Sequence, residues 1–176
     1  METTKKGLNN AEVMVNLDKL IEKLESEKDE RVNRAIEESK KHYSWYRSDI
    51  NRARRTSVRI WDVCDELSIF DWWNDFISLS QLKQMRSFLK TAERLGYNGY
   101  VCFKVGAVGC ANGMWASKKE SLDGYSPDGE CLYHSFVSNR NEWDACLPNG
   151  DWVGRIKDRL DLSLKEVLEE IKKHSA

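Results

Sequence analysis

Apolar residues recur along the first part of the chain at alternating spacings of three and four. Met14, Leu17, Ile21 and Leu24 set the pattern, which is that of one helix face. It slips at Lys28 and resumes at Val32, Ala35 and Ile36, as a stutter in a heptad repeat does. Charged residues fill the remaining positions, with pairs such as Glu27 and Arg31 four apart, a spacing that supports a solvated helix. A second run continues the alternation through Tyr43, Tyr46, Ile50 and Ala53, then Ser57, Ile60, Cys64 and Leu67. Neither glycine nor proline lies between Gly7 and Gly96, so the usual punctuation is missing there. The pattern predicts a coiled-coil-like helix over residues 11–67. Unbroken, it would be about 85 Å long at 1.5 Å per residue, against about 40 Å for the breadth of a globule of this chain length. Such a helix either folds back near Ser39 to His42 or projects and pairs. Its narrow seam favours projection and self-association.

Past Leu67 the texture changes. Ile69, Phe70, Trp72, Trp73, Phe76 and Ile77 are too dense in aromatic and aliphatic side chains for a solvated face, and they predict a core. Ser78 or Ser80 caps a following helix with a stripe of Leu79, Leu82, Met85, Leu89, Ala92 and Leu95. Gly96 stands where a helix C-terminus takes a glycine. Tyr100 to Gly106 and Met114 to Lys118 read as strands. Two more follow, from Cys131 and from Trp143, separated by the turns Asp123-Gly124, Pro127-Asp-Gly129 and Pro148-Asn-Gly150. Ser163-Leu-Lys-Glu166 is a capping box that opens a last helix to about Lys173. The fold class expected is therefore α+β: a long N-terminal helix over 1–67, then a compact module over 68–176. That module is a small antiparallel sheet supported by two helices.

Composition narrows the function. The chain has 176 residues, 40% of them hydrophobic and 32% charged, which fits a globular protein rather than a disordered one. No run approaches the roughly 18 apolar residues of a membrane span, and the first ten residues lack the apolar core of a secretory signal. The expected location is intracellular, in cytoplasm, nucleus or both. A net charge of −1 gives no global attraction to nucleic acid or anionic lipid, so any such contact needs a local patch.

The chemistry on offer is sparse. Cys131-x-x-His134 has a spacing that zinc can use, with Cys102, Cys110 and Cys146 in the same module. Against it, Cys102 sits within an alternating strand, and no Cys-x-x-Cys pair is present. Whether these five residues bind a metal stays open, and no metal, cofactor or catalytic residue is assigned. Cys110 with His134 would suit thiol chemistry, but no basic cluster flanks Cys110 to activate it. The glycines at 106, 109 and 113 lack a dinucleotide-binding pattern.

Three functional readings follow. The first is a non-catalytic scaffold or regulatory protein. It forms a homodimer through Met14, Leu17, Ile21 and Leu24, continued by Tyr43, Tyr46, Ile50 and Ile60. A protein partner meets the C-terminal module at Trp115, Tyr125, Tyr133, Trp143 and Trp152. The alternative is a nucleic-acid-associated factor using Arg47, Arg52, Arg54, Arg55 and Arg59, which interleave with aromatic residues as phosphate- and base-binding segments do. The third is a small thiol-dependent enzyme.

Overall fold

The computed structural model describes residues 8–41, 53–72, 75–105, 113–118, 130–135 and 143–146, with Glu166, Glu169 and Lys173; at 71, 72, 135 and 143–146 it describes the backbone alone. Helix α1 spans Asn10–Lys41. Asn9 and Glu12 open it reciprocally: the Asn9 side chain accepts from the Glu12 N–H at 2.9 Å, and the Glu12 carboxylate accepts from the Asn9 N–H at 3.0 Å. Both bonds satisfy backbone donors that the first helical turn leaves over.

Helix α2 spans Leu79–Arg94, and Ser78 is its N-cap. The Ser78 hydroxyl accepts from the Gln81 N–H at 3.2 Å, while the Gln81 side chain accepts from the Ser78 N–H at 2.9 Å. Gly96, at φ +87°, ends the helix. Tyr97 N–H then reaches the Ala92 carbonyl at 2.8 Å, and Gly96 N–H the Glu93 carbonyl at 3.0 Å. This is the closure that a left-handed glycine permits.

The two helices run antiparallel. The Asn10 side chain donates to the Leu89 carbonyl at 3.1 Å, Asp18 meets Arg86 at 3.5 Å, and Glu25 meets Lys83 at 2.5 Å. Between them Val13, Leu17, Ile21 and Leu24 are all but fully buried. Burial of four such side chains is worth about 6–12 kcal/mol before entropy is counted.

The strands form two sheets. In the smaller, β1 (Ser57–Arg59) pairs antiparallel with β3 (Phe76–Ser78). The larger has five strands in the order β2 (Ile69–Trp72), β4 (Tyr100–Val105), β5 (Gly113–Ser117), β6 (Cys131–Ser135) and β7 (Trp143–Cys146). From β4 to β7 it is the antiparallel meander that the sequence predicts. β2 lies parallel to β4, so α2 is carried on a crossover between parallel neighbours. Val101, Phe103, Val105, Met114, Ala116 and Leu132 face the helices and share one core with the buried stripes of α1 and α2. Residues on both sides of position 67 belong to that core. On the opposite face Tyr100, Cys102, Ser117 and Cys131 are 0–2% exposed, so β4 is buried on both sides.

The unbroken helix to residue 67 does not form. Among the described residues after Lys41, only Ala53 and Arg54 are helical before β1 begins. A 3-10 turn at Ile60–Asp62 and further turns lead to β2. The breaks fall at Thr56 and Ser68, both at φ +52°, a left-handed conformation that is uncommon without glycine. Thr56 is held there by hydrogen bonds from its N–H to the Ala53 carbonyl at 2.9 Å and from the Leu79 N–H to its carbonyl at 3.2 Å. Ser68 joins three segments: its hydroxyl accepts from the Leu8 N–H at 3.1 Å and its carbonyl from the Phe103 N–H at 2.9 Å. At the C-terminus Glu166, Glu169 and Lys173 are helical and exposed. They are polar positions of the helix expected there.

Candidate functional site

The seam residues lie inside the chain. Leu17, Ile21, Leu24 and Ile60 are 0–1% exposed, and Met14 is half-buried against the same core. Leu17, Ile21 and Leu24 are packed within the chain's own core. Tyr43, Tyr46 and Ile50 lie outside the described residues.

The aromatic residues of the sheet are divided. Trp115 and Tyr133, paired across β5 and β6, stack with ring centres 4.9 Å apart, and Phe70 meets the edge of Trp115 at 6.1 Å. Their rings cover Gly113, where a Cβ would collide with both. Glycine is needed there because the rings occupy the space of a side chain. Tyr125 and Trp152 lie outside the described residues, as does the side chain of Trp143. At the near end of the sheet the Tyr97 hydroxyl donates to Glu130 at 3.1 Å, and Lys118 pairs with Glu130 at 2.6 Å.

Cys131 and His134 do not converge. They stand three residues apart on β6, so the pleat sends them to opposite faces. Cys131 shares the face of Cys102, whereas His134 lies against Phe88 of α2, with ring centres 6.4 Å apart. The Cys131-x-x-His134 spacing lies within a strand, which separates its two members. Burial lowers the His134 pKa from 6.5 to about 4, because the low-dielectric surroundings disfavour the charged imidazolium. Cys110 and the side chain of Cys146 lie outside the described residues. Among the described residues no three His, Cys, Asp or Glu side chains gather as metal donors, and no helix is long and apolar enough to cross a membrane.

Two surface features stand out. Trp61, on the 3-10 turn, is 72% exposed. Its chain neighbours Asp62, Asp65 and Glu66 are exposed too, while Val63, Cys64 and Leu67 turn into the core. The second feature is a groove of about 550 Å³ where α1, the turn before β1 and the first half of α2 meet. Lys28, Arg54, Arg55 and Lys83 line it, with Thr56, Ser80, Gln84 and Ser87 between them. Two of the arginines singled out from sequence, Arg54 and Arg55, thus come together with two lysines that were not. Arg59 does not line the groove, and Arg47 and Arg52 lie outside the described residues. Lys28 had a signal in the sequence: it is the residue that interrupts the seam. A second recess, of about 500 Å³, lies along α1 between Glu27 and Glu38. There Arg31 pairs with Glu27 at 3.0 Å and Arg34 with Glu30 at 2.5 Å, and Glu38 is met by Lys41 at 3.3 Å, so its charges are paired off.

Comparison with protein families, with curated proteins and with solved structures gives no match.

Proposed function

We propose that the protein is a non-catalytic protein-binding module whose contact is anchored by Trp61 and rimmed by Asp62, Asp65 and Glu66. The observation that carries this reading is the exposure of Trp61, at 72%, on a turn whose other apolar side chains are buried. A tryptophan offers more contact area than any other side chain at little cost in conformational entropy, and such residues dominate binding energies at interfaces. The acidic neighbours select the partner: a basic segment carrying an apolar side chain for the indole. This reading keeps the protein partner expected from sequence. It moves the contact away from the seam, whose apolar side chains are already occupied, and away from Trp115 and Tyr133, which stack on each other.

The test is affinity capture with the intact chain, compared across wild type, Trp61→Ala and Asp65→Lys, each checked for native circular dichroism. Trp61→Ala should lose a captured protein at least about tenfold, as expected for a residue worth more than about 1.4 kcal/mol. Asp65→Lys should weaken the same capture and reduce its sensitivity to salt. Equal capture by all three proteins would refute the reading.

A further inference from the structure

We infer that the groove between α1, the 53–56 turn and α2 binds the phosphate backbone of single-stranded nucleic acid. Three separate segments supply its cations: Lys28 from α1, Arg54 and Arg55 from the turn, and Lys83 from α2. No carboxylate is among its described lining residues. Lys83 is partly neutralised by Glu25 on the rim, at 2.5 Å, whereas Lys28, Arg54 and Arg55 have no carboxylate within ion-pair distance among the described residues. The like charges are held together by the fold. Arg54 and Arg55 sit immediately before Thr56, whose left-handed backbone is fixed by the Leu79 N–H. Backbone strain of this kind persists where the surroundings impose it and is concentrated at functional sites.

The groove's shape and chemistry choose the ligand. Ser80, Gln84 and Ser87 recur along one side of α2, a polar strip about 10 Å long at 1.5 Å per residue. That strip exceeds a single phosphoryl group and suits a repeating anion, with hydroxyl and amide donors between the charges. Among the described lining residues there is no aromatic ring and one apolar residue, Leu79. The described lining offers charge and hydrogen-bond donors, which recognise the nucleic-acid backbone without sequence preference. A flexible single strand bends into a recess between two helices. A duplex, with a persistence length of about 50 nm, does not. The mixed-charge recess farther along α1 offers no such field.

Fluorescence anisotropy with labelled oligothymidylate and oligouridylate on the intact protein tests this. Binding should weaken with salt, with a slope of log K against log salt of about −2 to −3 for three or four phosphates neutralised on a single strand. Arg54→Glu/Arg55→Glu should reduce affinity about tenfold or more. It should also flatten the slope by about 1.4, at about 0.7 for each phosphate left without its cation. Lys28→Gln, at an exposed helix position, should flatten it by about 0.7 without disturbing the fold. Three results would overturn the inference: no retention at low salt; binding unchanged in both variants; or displacement of the strand by inorganic phosphate or a phosphopeptide at equal phosphate concentration. Equal affinity for a duplex of the same length would overturn the assignment to single strands.

Discussion

Burial keeps the His134 imidazole neutral, and that makes stability depend on pH. The folded pKa of about 4 lies below the ordinary 6.5, so between these values the unfolded chain binds more protons than the folded one. Stability therefore rises with pH across that window. The contribution is complete above pH 6.5, is lost progressively as pH falls toward 4, and changes no further below that. At about 1.36 kcal/mol per pH unit the full amount is about 3 kcal/mol. Denaturant unfolding at a series of pH values should show the wild type losing this stability between pH 6.5 and 4 and His134→Leu losing less. Parallel curves for the two proteins would contradict the burial argument.

At the scale of elements, α2 was the most legible in sequence. Its cap, stripe and terminal glycine are local signals, and all three stand where they point. Ser78→Ala removes one half of the reciprocal cap and should cost about 1 kcal/mol, seen as a lower midpoint in urea at unchanged m-value. Threonine at the same position should restore most of the loss; an unchanged Ser78→Ala midpoint would show that the cap contributes nothing. The meander β4–β7 was also legible, because alternation and Gly/Pro turns are local. What escaped was β1, β2 and β3. Ser57–Arg59 and Phe76–Ser78 are three residues each, too short for a periodicity to declare itself, and each is a strand because the other is its partner. The chain turns into them at Thr56 and Ser68, where no glycine marks the left-handed backbone. A stretch without glycine or proline therefore permitted a helix without requiring one. Of the candidate sites, Arg54 and Arg55 were visible as a basic run. Their meeting with Lys28 and Lys83 depends on the antiparallel register of α1 and α2, which no local pattern encodes. Trp61 was visible as a residue, but its exposure is set by which side of the 3-10 turn faces the core.

At the scale of the molecule, the partner of the N-terminal helix decides the architecture. A three-four seam such as Met14, Leu17, Ile21 and Leu24 serves equally well against a second copy or against the chain's own helix, since both supply the same apolar groove. Here α2 and the sheet supply it. Asn10 on Leu89, Asp18 with Arg86 and Glu25 with Lys83 fix the register. Ser68 ties the start of α1 to β4 through the Leu8 N–H and the Phe103 N–H. The N-terminal helix and the β module thus contribute to one buried core, and the groove and Trp61 lie on the surface around it. The measurement that tests this most directly is thermal unfolding of Leu17→Asp, followed by tryptophan fluorescence and helical circular dichroism, with the mass in solution taken alongside. A carboxylate at a site 0% exposed should cost about 3–5 kcal/mol. The two signals should be lost together, at a transition far below that of the wild type. A variant whose β module melts at the wild-type temperature, with only its oligomeric mass reduced, would contradict the shared core and restore the projecting helix.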